Sequence, residues 1–135
     1  MCNVLIIAGR GVRIANGVEE LIALSHKTNI PIATTFLGKD LLENSVGTIG
    51  IKGNPEAKEL LEKAEIVLAI GCSLPIAQMG YDYERFNARN VIVVNIEPPH
   101  EKVKYYKYIQ MDAKEFLRRC NEVSMFLPRI IAYSE

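Results

Sequence analysis

The sequence predicts an α/β domain: a six-stranded, doubly wound parallel sheet of the Rossmann-like kind, with strand order 3-2-1-4-5-6. Three observations lead there. Val4–Ala8 and Ile66–Ile70 are unbroken apolar runs of strand length. A strand without polar alternation is covered on both faces, as in a parallel sheet. Runs of this kind alternate with segments of helical periodicity, which implies right-handed strand–helix–strand units. Both runs end in glycine, at Gly9 and Gly71, where the backbone can turn sharply at a strand's carboxyl end.

Composition is compatible with one soluble domain. The chain has 135 residues, 49% hydrophobic and 24% charged, which excludes disorder and offers no membrane span. The formal net charge is zero and no basic run occurs, arguing against a nucleic-acid surface. Cys2, Cys72 and Cys120 are odd in number and far apart. They fit reduced thiols of a cytoplasmic protein better than a disulfide or zinc framework. Met1-Cys2-Asn3 is too short for a signal peptide. The expected division is a domain over 1–124 and an apolar tail or linker over 125–135.

In order, Val4–Ala8 is the first strand, ended by Gly9-Arg10-Gly11. Asn16 is expected to cap a helix, with Glu19 completing a capping box. Val18, Leu21, Ile22 and Ser25 form its sheet-facing stripe. Ile32–Thr34 follows as a second strand, and Thr35–Ser45 is looser, with room for one helical turn at Lys39–Leu42. Gly47–Gly50 reads as a minimal third strand. Asn54-Pro55 opens a helix whose inner face is Ala57, Leu60, Leu61 and Ala64. Ile66–Ile70 is the central strand, and Pro75–Arg89 stays ambiguous, a helical pattern interrupted by Gly80. Val91–Asn95 and Tyr108–Met111 are the fifth and sixth strands. Asp112 caps the last helix with Glu115 as box partner, and Ala113, Phe116, Leu117, Cys120 and Val123 form its buried stripe.

In such a sheet ligands bind where the winding reverses, here between Gly9-Arg10-Gly11 and Gly71-Cys72-Ser73. Gly9 and Gly11 match the first two glycines of a dinucleotide fingerprint, but Ile14 stands at the third place and no acidic residue follows the second strand. A tight βα turn is the competing explanation. Gly47–Pro55 is a second glycine-rich stretch leading into a helix N-terminus, a natural anion site, and Lys52 adds charge; a plain capped loop is the alternative. The candidate cofactor-binding residues are Gly9, Arg10, Gly11, Thr35, Gly50, Lys52, Gly53, Ser73 and Glu97. Backbone amides at Gly9–Gly11 and Gly50–Gly53 would hold phosphates, Thr35 and Ser73 would line the crevice, and Glu97 would reach a ribose or base. No catalytic constellation and no metal-ligand spacing emerges; His26 and His100 read as solvated. Cys72 reads as structural rather than reactive. Tyr105, Tyr106 and Tyr108, set among lysines, suggest an edge strand.

Six ordered blocks resemble one known family: Leu5–Arg13, Asn29–Lys39, Gly47–Pro55, Ala64–Gly71, Val94–Pro98 and Met111–Glu115. Together they look like the central domain of thiamine-diphosphate-dependent enzymes, especially the acetolactate synthase large subunit. The resemblance extends to about Asn121. It implies the six-stranded fold that sirtuins and FAD- or NAD-binding central domains share. It also implies FAD or another adenine nucleotide as ligand. Cys72-Ser73-Leu74-Pro75 replaces the family's arginine-bearing flavin segment, which ranks a plain adenine nucleotide ahead of flavin. Gly-Cys-Ser-Leu also resembles a sirtuin stretch, but that family's entry motif, catalytic histidine region and zinc cysteines are absent.

In this family thiamine diphosphate and Mg²⁺ are held by flanking domains, and neither set of holding segments is in these residues. The expectation is therefore a central domain, as fragment or split subunit, of a 2-oxo acid carboligase or decarboxylase, structural and cofactor-docking but not catalytic alone. A free-standing adenine-nucleotide-binding or subunit-interaction protein is the alternative. The expected partners are a second copy or thiamine-enzyme domains, because Met125, Phe126, Leu127, Ile130 and Ile131, with Ile76–Phe86, would otherwise be exposed.

Overall fold

The structure is a computed structural model that describes residues 3–28, 30–35, 48–49, 59–60, 63–72, 90–98 and 107–133. Strand β1 (Val4–Ala8) leads through the short helix α1 (Arg10–Ile14) into α2 (Val18–Lys27). Then come β2 (Ile32–Thr35), β3 (Thr48–Ile49), β4 (Ile66–Ile70), β5 (Asn90–Asn95) and β6 (Lys107–Gln110). Helices α3 (Ala113–Glu122) and α4 (Phe126–Tyr133) end the described chain. The sheet order is β3-β2-β1-β4-β5-β6, with every pairing parallel. The expected parallel α/β sheet is present. Its body, however, is five strands of four to six residues, ordered 2-1-3-4-5 among themselves. The remaining strand, β3, is a two-residue extension in which Thr35 pairs with Ile49.

The apolar runs have the expected consequence. In β1, Leu5 and Ile7 join a core layer with Ala33, Val67, Ala69, Cys72, Val91 and Val93. Ile6 and Ala8 face the opposite layer, with Leu68, Ile70, Ile92 and Val94. Successive side chains point to opposite faces, so a run without polar residues requires cover on both. Leu21 and Leu24 of α2 and Phe116, Leu117 and Cys120 of α3 cover the second layer. Leu60 and Ala64 lie on the first, while most of the helix expected from Asn54 is outside the described residues. Residues 36–47 and 75–89 also lie outside them.

Several local expectations are corrected. Asn16 does not cap α2; it adopts φ 59° between the two helices, and Gly17 is the N-cap, without a side-chain bond. Asparagine tolerates the left-handed conformation, so here it reverses the chain after α1 rather than starting a helix. The amides of Asn16 and Gly17 donate to the carbonyls of Arg13 and Val12. The buried stripe of α2 runs through Leu21 and Leu24, with Val18 beside them, and Ile22 is exposed. The sixth strand begins one residue early, at Lys107. Asp112 caps α3 as expected, its carboxylate accepting from the Glu115 amide at 3.2 Å. The Glu115 carboxylate binds Arg118 and Arg119 rather than closing the box. Val123, expected in the stripe, is the C-cap of α3 and half exposed.

The apolar stretch after Val123 folds into α4. Pro128 is tolerated there because it sits in the first turn, where its missing N–H leaves no bond unmade. Leu127 is buried in the core, and Phe126, Ile130 and Ile131 pack partly against it, leaving Met125 exposed. The Phe116 and Phe126 rings meet edge to face, with centroids 5.4 Å apart.

Candidate functional site

The carboxyl ends of the strands form the rim where the winding reverses between β1 and β4. Hydrogen bonds lace that rim together. The Gly9 amide donates to Ile70 O at 3.0 Å, the Gly11 amide to Gly71 O at 2.9 Å, and the Gly71 amide to Val94 O at 2.8 Å. Gly71 has φ +65°, a conformation that side chains disfavour. Space is equally tight. A Cβ at Gly9 would stand 2.6 Å from Cys72 Cβ and Gly71 O. One at Gly11 would stand 2.8 Å from Gly71 Cα, and one at Gly71 would stand 2.6 Å from Val12 N. Gly9, Gly11 and Gly71 therefore let two backbone turns touch.

This changes the role of the first two site residues. The amides of Gly9 and Gly11 already bond to carbonyls within the protein, so they do not fit as phosphate donors. Of the two explanations that the sequence leaves open for these glycines, the backbone bonds of their amides and the close approach of Gly71 fit the tight turn. The signal was present in the sequence, as glycines at the ends of strands predicted to be neighbours. The helix α1, by contrast, had no readable start, since Gly9 offers no capping side chain.

The other predicted residues distribute along the rim. Arg10 is exposed at the start of α1, Thr35 ends β2, and Glu97 is exposed just after β5. Thr35 and Glu97 belong to strands three steps apart, ~14 Å at the usual strand spacing, so only an elongated ligand could touch both. The turn that carries Glu97 is anchored: Ile96 N donates to Asn95 Oδ1 at 3.0 Å, and Tyr108 Oη donates to Asn95 O at 3.1 Å. Gly50, Lys52, Gly53 and Ser73 lie outside the described residues.

No group of three or more His, Cys, Asp or Glu able to hold a metal ion stands together among the described residues. Cys72 and Cys120 are both buried, and burial pushes the Cys120 thiol up to about 12. His26 is exposed. Among the described residues no helix is long and apolar enough to cross a membrane.

The family described as the thiamine pyrophosphate enzyme, central domain, matches residues 2–120. The chain belongs to that family. Among relatives of the thiamine pyrophosphate enzyme central domain, a probable acetolactate synthase large subunit of Methanocaldococcus jannaschii is 31% identical over 121 residues, 84% of this chain and 20% of its own. Another, from Methanococcus aeolicus, is 32% identical over 100 residues, 70% of this chain and 16% of its own. A 3D-(3,5/4)-trihydroxycyclohexane-1,2-dione hydrolase of Listeria monocytogenes serotype 4b (strain F2365) is 44% identical over 71 residues, 50% of this chain and 11% of its own. The chain thus spans between about a tenth and a fifth of these curated relatives.

Proposed function

We propose that this chain serves as the central domain of a thiamine-diphosphate-dependent enzyme of the acetolactate synthase type, structural and nucleotide-docking, and not catalytic by itself. The family match over residues 2–120 carries this reading. Thiamine diphosphate and Mg²⁺ do not fit the described residues, among which no metal-holding cluster stands, so no chemical step is assigned to them. When bound in such an enzyme, they would be held by neighbouring domains. Assayed alone with pyruvate, thiamine diphosphate and Mg²⁺, the purified chain is expected to show background turnover only. Mixed with flanking thiamine-enzyme domains that lack their own central domain, it is expected to restore assembly. Carboligation or decarboxylation by the chain alone would overturn the reading.

The ligand proposed for the rim is an adenine nucleotide, with FAD as its larger variant. Arg10 would face the phosphates in place of the Gly9 and Gly11 amides, and Thr35, Ser73 and Glu97 would line the crevice, with Gly50, Lys52 and Gly53 as a second phosphate segment. The reading is supported by the position of Arg10, Thr35 and Glu97 at strand ends on either side of the switch point. Calorimetric titration with ADP, NAD and FAD tests it. Binding tighter than about 1 mM, weakened by Arg10→Ala, is expected; no binding at that level leaves an affinity no better than about −4 kcal/mol and rejects the site. The alternative, a free-standing adenine-nucleotide-binding or subunit-interaction protein, would bind nucleotide yet fail to restore any thiamine enzyme. Neighbouring thiamine-enzyme domains, or a second copy in a homodimer, are the partners this reading requires, in a cytoplasmic setting.

A further inference from the structure

Asn16-Gly17, the one Asn-Gly pair in the sequence, joins α1 to α2, and two separate demands of the fold meet there. The link needs φ 59°, a left-handed conformation that asparagine tolerates better than most side chains. The next position must pack closely. A Cβ at Gly17 would stand 3.2 Å from Lys114 Cα, so a side chain there would press on α3. Asn16 is exposed and Gly17 buried. A glycine after an asparagine leaves its own backbone nitrogen unshielded, so that nitrogen can reach the asparagine carboxamide carbon. The fold holds it back: Gly17 N donates to Val12 O at 2.8 Å, and Asn16 N to Arg13 O at 3.0 Å. An amide engaged through its proton is a poor nucleophile, because attack requires that proton to leave.

We infer that Asn16-Gly17 is a self-modification site, where the Gly17 nitrogen closes on Asn16 Cγ when its bond to Val12 O opens. The new N–Cγ bond forms, the Cγ–Nδ2 bond breaks, and the Gly17 amide proton leaves with Nδ2 as ammonia. Water then opens the cyclic imide at either carbonyl, giving aspartate or isoaspartate. Nothing is oxidised or reduced, and water is the only co-reactant. The opening is local, since the link can part while the sheet stays closed. Isoaspartate carries the chain through its side-chain carbon, which adds a backbone atom between α1 and α2 and displaces the two link bonds. Gly11 N donates to Gly71 O, so α1 is tied at its other end to the rim. A slack link therefore reaches the short helix that carries Arg10.

The test incubates the full chain in mildly alkaline buffer beside a synthetic peptide of residues 14–27, too short to hold a helix in water. Tryptic mapping by mass spectrometry reads conversion at Asn16 as replacement of NH2 by OH, and chromatography separates the isoaspartate and aspartate products. The folded chain is expected to convert at least about tenfold more slowly than the peptide, because the rate follows the opened fraction. That retardation is expected to match the hydrogen-exchange protection of the Gly17 amide within about threefold, since both need the Val12 bond to open. Urea below the unfolding transition should raise both rates together. Asn16→Gly keeps the left-handed link, and it is expected to give no product and retain its Gly17 protection after the same incubation. The isoaspartate-bearing chain is expected to lose that protection at least about tenfold. If Asn16→Gly fails to fold, the unmodified chain, separated from the converted one by its charge, serves as the comparison. Conversion as fast as in the peptide overturns the proposal, as does a rate that does not follow Gly17 exchange. Absence of product in urea that exchanges the Gly17 amide overturns it equally.

Discussion

Gly71 is the residue on which the rim depends. Its φ of +65° and its contact with Val12 N mean that any side chain there meets both backbone strain and a collision. The left-handed conformation alone costs an L-residue roughly 1–2 kcal/mol, and the collision adds to it. Gly71→Ala is therefore expected to lower stability by at least ~2 kcal/mol in urea unfolding. A loss under ~0.5 kcal/mol would mean that the two turns do not touch in solution. Gly9 and Gly11 are read in the sequence as phosphate-holding candidates, yet their amides bond to Ile70 and Gly71. Chain spacing gives the fingerprint; it cannot say which acceptor each amide will find.

At the scale of elements, α3 shows how one cap and one ion cluster divide the work. Asp112 accepts from the Glu115 amide, which satisfies an otherwise unpaired donor at the helix start. The Glu115 carboxylate is held by Arg118 first and Arg119 second, which draws its pKa from 4.5 down to about 2. Because the folded value is depressed, the stabilisation is present above about pH 4.5 and is lost as pH falls toward about 2. Unfolding free energy measured across that window should decline with acidification, and Glu115→Gln should flatten the decline. An unchanged slope in that variant would show the arginine contacts to be without effect. The side chains are partly exposed and screened by solvent, so the effect is expected to be small. Asp112→Ala should lower stability by about 1 kcal/mol through loss of the cap, independently of pH above that window.

For the whole molecule, α4 covers one side of the core. Leu127 is buried with the main core, and Phe126 packs edge to face on Phe116. A chain stopped at Val123 would leave Phe116 with one side uncovered. It is expected to lose about 2–5 kcal/mol, the range for removing large core side chains, and to unfold at lower urea. Sedimentation of both chains tests association at the same time. Dimerisation of the full chain alone would assign the interface to α4, and monodisperse monomers of both would remove the homodimer from the reading.

The architecture was readable because it depends on features that are local along the chain. Unbroken apolar runs require two-sided burial, strands that alternate with helices require parallel pairing, and Asp112 three residues before Glu115 is a helix start. The family blocks were readable for the same reason, being contiguous segments in a set order. Tertiary structure alone decided the rest. Asn16 became a left-handed link because α1 turns the chain before α2 can begin. Leu24 rather than Ile22 faces the core because α3 crosses α2, where Lys27 Nζ donates to Asn121 O and Asn121 Nδ2 to Glu20 O. Gly9 and Gly11 serve the fold at the rim because β4 brings Gly71 against them, a proximity created by strand pairing between distant segments. Periodicity and propensity act between neighbours in sequence; contacts of this kind exist only after the sheet has closed around them.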